Sequence, residues 1–178
     1  MTDLPPLSAL MAALDFDMND LRRNRDRQMT ERQRQRLQRL QRRALLIGAG
    51  VFLLLAFAAS LLIYLGQRGE QPLLSLLGVF VTVLNAIAVG FSARSYYRLA
   101  ADLRAPEPVE IYEGILERVI RPYGRVNNYV LRLAGQEFSV TKDAFKQFRH
   151  QMVYAIYATQ HSNIIMSCEC YSDPTTPR

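Results

Sequence analysis

The sequence predicts a membrane α-helical hairpin joined to a small all-β cytoplasmic domain that carries one short helix. Three observations lead there. Two uncharged apolar runs, Ala44–Leu65 of 22 residues and Leu73–Ala93 of 21, lie close together. The positive charge collects on their outer flanks, and after Pro108 the pattern changes from helical to β-rich. The rest of the composition narrows the class. Two cysteines in 178 residues exclude a disulfide scaffold. A charged fraction of 21% with 10% aromatics excludes a wholly disordered chain.

The net charge of +6 is unevenly spread. Residues 1–20 carry −4, residues 21–43 carry +8, residues 44–106 carry +2, and residues 107–178 are neutral. A basic surplus suggests nucleic acid only if it lies on the folded domain, and here it belongs to a segment leading into an apolar run.

Residues 1–30 read as an acidic, flexible N-terminal segment, with Leu4–Leu14 apolar enough for a short helix and Asp15–Asp20 breaking it. Thr30-Glu31-Arg32-Gln33 fits a capping box. From Glu31 the chain lacks Gly and Pro up to the first span, so one helix is expected to run from the Arg-rich stretch 31–43 to Leu65. Arg32, Arg36, Arg39, Arg42 and Arg43, with Arg94 and Arg98 beyond the second span, are the candidate contacts to the membrane surface and its anionic headgroups. An acidic partner or an RNA site for the arm is the weaker reading.

A bilayer core of about 30 Å needs about 20 apolar residues at helical rise, so 44–65 and 73–93 each suffice as a transmembrane helix. The first run lies behind a charged leader too long for a signal peptide. The connector 66–72 holds one Arg and one Glu, whereas both outer flanks are Arg-rich. The positive-inside rule therefore puts the connector outside and both termini in the cytoplasm. Gly78, Thr82, Ala86, Gly90 and Ala93 recur at spacings of three or four beside Asn85, which suits close helix packing. Asn85 is expected to bond across a homo-oligomer, with another membrane protein, or to its own helix. With no intramembrane charge, a pump or proton relay is disfavoured.

Residues 94–108 read as the helix end and a stiff linker closed by Ala105-Pro106-Glu107-Pro108. The domain at 109–171 then reads as a long strand (109–120) bent near Gly114, a turn (121–127), and a hairpin about Gly135. A short helix at 142–149 and a last hairpin over 152–171 follow, with a tail at 172–178. That order resembles an OB-like barrel, with an SH3-like barrel as the alternative. Arg121, Tyr123 and Arg125 form the candidate partner patch in the first turn.

No catalytic or cofactor motif is present, and no metal site is assigned. Cys168 and Cys170 fall on one face of a strand and read as reduced core thiols. With His161 they would make only part of a zinc site. Two stretches carry a resemblance. DLRRNRDRQMTERQRQRL (20–37) is similar to an NRxGxLTxxQ pattern, with Arg27 at its Gly position. GRVNNYVLRLAGQEFSVTKDAFKQF with YAIYATQHSNIIMSCE resembles the cytoplasmic domain of bacterial two-span membrane proteins of uncharacterised function. The resemblance implies a two-pass protein of a bacterial inner membrane and adds no activity.

The functional expectation is a non-enzymatic membrane protein whose β domain docks a protein partner or assembles a complex. The alternatives are a membrane-tethered nucleic-acid-binding protein, which the neutral domain disfavours, and a metal or redox sensor built on Cys168 and Cys170.

Overall fold

The computed structural model describes residues 7–123 and 126–171 and divides into two compact units. One combines the chain up to Arg34 with the chain from Arg104 onward, and the other is Gln35–Leu103.

In the first unit, α1 (Leu7–Leu14) and α2 (Met18–Arg25) precede the start of a long helix at Glu31. Asp15, with φ 56°, turns the chain out of α1. Asp17 then caps α2 in a reciprocal capping box with Asp20. The acidic stretch is therefore the joint between two helices. Segment 7–30, read as acidic and flexible after one short helix, carries a second helix, α2, and buries Leu10, Leu14, Phe16 and Leu21. Alone these four residues are too sparse to signal a core, and they acquire one because α1 lies on β6 and α5 while α2 lies on β6.

The strands are β1 (Val109–Ile115), β2 (Glu117–Tyr123), β3 (Val126–Leu133), β4 (Gln136–Val140), β5 (Val153–Thr159) and β6 (Ile165–Tyr171). Helix α5 (Lys142–Gln147) stands between β4 and β5, capped by Thr141 through the Ala144 amide. Two antiparallel three-stranded sheets result, ordered β1-β5-β6 and β2-β3-β4. The expected long bent strand is β1 followed by β2. Its bend falls at Leu116, whose amide donates to Met152 and whose carbonyl accepts from Gln151, each at 2.9 Å. The chain thereby leaves one sheet and enters the other.

The turn expected over 121–127 is shorter than read, because β2 and β3 pair out to Tyr123 and Val126. Pro122 is accommodated there on an edge strand, where a missing donor costs least. Ala134 (φ 49°) and Gly135 (φ 79°) form the two-residue turn of the next hairpin, the left-handed pair that matches strand twist. Phe138, Phe148, Leu131, Leu133, Tyr154, Ile156 and Cys168 are fully or almost fully buried. At roughly 1.5–3 kcal/mol per large apolar side chain, this cluster is the main stabilising element of the unit. The barrel does not close, since no ladder joins β4 to β6 among the described residues.

In the second unit, α3 (Glu31–Arg68) continues from the arm and α4 (Pro72–Arg104) returns. Pro72 occupies the first helical position, where its missing amide donor is no loss. Both helices are long and apolar enough to cross a membrane, with only 6% and 11% of their most apolar windows buried.

Candidate functional site

Two places carry unusual chemistry, and each is confined to one unit. The first is a polar clasp that ties the N-terminal helices to β6. Thr30 accepts the Gln33 amide and Gln33 accepts the Thr30 amide, both at 3.2 Å, which is the capping box read from the sequence. Gln33 then uses its amide nitrogen to donate to the Met166 carbonyl at 3.2 Å. Asn24 donates to Ser167 Oγ at 2.7 Å, and the Thr30 hydroxyl donates to Asp20. All these polar side chains are buried, where a paired group is stable and an orphaned one is costly. Asn24, Thr30 and Gln33 are also the residues on which the NRxGxLTxxQ likeness rests. Their side chains hold the arm to the sheet and form no exposed basic surface.

Glu169 strengthens the clasp on the neighbouring turn of α2. It receives Arg25, the Tyr157 hydroxyl, and the Tyr171 hydroxyl at 3.0 Å. Burial pushes the Glu169 carboxyl up, but hydrogen bonds from Arg25, Tyr157 and Tyr171 outweigh it and hold the group below the usual carboxylate range. Burial, and then the bond to Glu169, pushes the Tyr171 phenol up to about 12.

Arg32 pairs with Asp15 and, at 3.5 Å, with Asp17. One of the residues assigned to headgroups is therefore engaged with the acidic stretch of its own chain. Arg121 of the candidate partner patch is engaged too. Its guanidinium is 2.7 Å from Glu137, which Arg132 also meets at 2.9 Å. Hydrogen bonding from Arg132 is the leading cause that lowers the Glu137 carboxyl below its usual range. The Tyr123 side chain and Arg125 lie outside the described residues.

The second place is the pairing of α3 with α4. Gly78 is buried, and a Cβ there would come within 2.5 Å of Ile63 Cγ1 and 3.0 Å of the Ala59 carbonyl. A Cβ on Gly48 would meet Ser92 Cβ at 3.1 Å. Asn85 is buried between these points and donates to the Phe52 carbonyl at 3.3 Å, so its partner is the other helix of the same chain. Thr82, Ala86 and Gly90 do not share that face. All three are exposed, a Cβ on Gly90 meets nothing within 4 Å, and Thr82 bonds back to the Gly78 carbonyl at 3.0 Å. The packing face is instead Gly78, Val81, Asn85, Ala88 and Ser92, spaced alternately by three and four. A spacing of four drifts around the helix, whereas alternation keeps one face turned to its neighbour.

Cys168 is fully buried and Cys170 half-buried. Burial pushes both thiols up, away from the reactive thiolate. Among the described residues, no three His, Cys, Asp or Glu side chains are grouped to hold a metal. His150 Nδ1 accepts the Arg118 amide at 3.1 Å.

Compared with known proteins, the chain matches no family model, no curated protein and no solved structure.

Proposed function

We propose that this chain is a non-enzymatic integral protein of a bacterial inner membrane, with both termini in the cytoplasm. Its folded unit docks a protein partner or helps assemble a membrane complex. The observation that carries this reading is the opposite placement of similar side chains. Leu46, Leu53, Leu54, Phe57 and Phe91 are 66–72% exposed on α3 and α4, while the large apolar residues of the strand core are covered. Water penalises such an exposed belt and hydrocarbon does not.

The finer assignment of the folded unit is OB-like. A bent first strand serving both sheets, and a helix between β4 and β5, favour it over an SH3-like barrel. Docking to protein is favoured over nucleic acid because Arg121, Arg132 and Arg25 are spent on carboxylates. Meanwhile Ile115 and Ile120 stand 61% and 53% exposed on β1 and β2.

The full chain in native membranes tests the reading. It should resist alkaline carbonate extraction, and in-membrane crosslinking should give a protein adduct that Ile120→Asp weakens. Release by carbonate would overturn the anchoring. Salt-sensitive binding of the full chain to RNA or DNA, unaffected by Ile120→Asp, would replace protein docking with the nucleic-acid alternative.

A further inference from the structure

Beside the Gly48–Ser92 approach, α3 and α4 leave an open groove of about 500 Å³. Its walls are apolar: Ala49 and Phe52 on α3 face Val89 and Ala93 on α4. At one end stand Tyr96 and Tyr97, meeting edge to face with centroids 5.9 Å apart, and both line the groove. That end is also the basic end of the hairpin. Arg42 and Arg43 come one turn or less before the lining residue Leu45, and Arg94 and Arg98 bracket the tyrosines. All four arginines are exposed, and none makes an ion pair among the described residues. Earlier in the chain Arg25, Arg27 and Arg32 do make ion pairs.

We propose that this groove is a binding site for one anionic phospholipid, with an acyl chain along Ala49, Phe52, Val89 and Ala93 and its phosphate among Arg42, Arg43, Arg94 and Arg98. The charge complementarity selects the occupant. An apolar slot ending in four unpaired guanidiniums fits a molecule that is apolar along its length and anionic at one end. A second copy of the chain would bring the same four positive charges to the same place. Surface attraction alone would use the arginines and ignore the slot, so shape and charge can be separated by substitution.

The inference rests on the bilayer-spanning reading, and carbonate extraction reports on that reading alone. The test uses the full chain in nanodiscs of equimolar phosphatidylglycerol and phosphatidylcholine. The lipid retained after transfer to detergent is counted by native mass spectrometry. One phosphatidylglycerol per chain is expected. Ala93→Phe and Ala49→Phe, which fill the slot and leave every charge, should each abolish its retention. Arg42→Gln with Arg43→Gln should lower the phosphatidylglycerol-to-phosphatidylcholine ratio about fivefold per arginine. Retention unchanged in both phenylalanine variants would overturn the site and leave only a basic surface. A dimer that either phenylalanine variant dissolves would also overturn it, by making a second copy the occupant.

Discussion

The strand unit and the helical hairpin use the same apolar vocabulary in opposite ways. In the strand unit, Phe138, Phe148 and Leu131 are completely covered, and α2 and the first turn of α3 are tied to β6 by buried polar bonds. In the hairpin, Leu54 and Phe57 are about 70% exposed, and the two helices meet along a narrow line of small residues around one asparagine. The first arrangement is what water demands of a marginal core. The second suits hydrocarbon, where covering a leucine gains little and close approach of backbones gains more.

The largest test of that contrast is truncation. Phe148→Ala should cost about 3–5 kcal/mol of unfolding free energy, because it empties a fully buried, ring-packed position. Leu54→Ala on the hairpin should leave the same unfolding transition unchanged within about 0.5 kcal/mol. Denaturant titration of near-ultraviolet circular dichroism in detergent would compare them. Equal losses would break the distinction between the two regions.

Next in size is the clasp. Glu169→Gln removes the charge that Arg25, Tyr157 and Tyr171 share and should cost about 2 kcal/mol. The sign of its pH dependence follows from the lowered carboxyl. Stability from the ionised group is fully present above the unfolded value of 4.5 and fades as pH falls through the lower folded value. Acid should therefore loosen helices α1 and α2, read as faster amide exchange over residues 7–25, and Glu169→Gln should show that looseness at neutral pH.

A comparable test lies within the hairpin. Gly78→Leu should part the helices at a cost of about 1–3 kcal/mol, because its first added carbon already overlaps Ile63. Gly90→Leu, in open space, should be silent. Crosslinking yield between cysteines placed at Gly48 and Ser92 would read both.

The smallest effect concerns Arg27, which holds φ 57° in the region that favours glycine. Arg27→Gly should stabilise the strand unit by about 0.5–1 kcal/mol despite losing the exposed pair with Glu107, detectable as a raised Tm.

What could be read from the chain and what could not divides along physical lines. The two long apolar helices, the capping box at Thr30 and Gln33, the hairpin at Gly135 and the short helix before β5 follow from local chemistry, and local chemistry is visible in sequence. The roles of Asn24, Ser167 and Glu169 depend on partners more than 140 residues apart in the chain, and no local pattern announces them. The small-residue stripe misled for another reason. Small size marked Thr82, Ala86 and Gly90, although the packed face runs through Val81, Asn85, Ala88 and Ser92 and the three small residues are exposed. Likewise Arg32 and Arg121 carry free charges in a sequence and paired ones in the fold.

The proposed topology puts both apolar helices in a bilayer, the connector 66–72 outside and both termini in the cytoplasm. Gln71→Cys, in the connector between α3 and α4, should react with a membrane-impermeant maleimide in intact spheroplasts. A cysteine at exposed Gln136 on β4 should react only after the membrane is opened. Protection of Gln71→Cys in intact spheroplasts, or labelling of Gln136→Cys without permeabilisation, would contradict it.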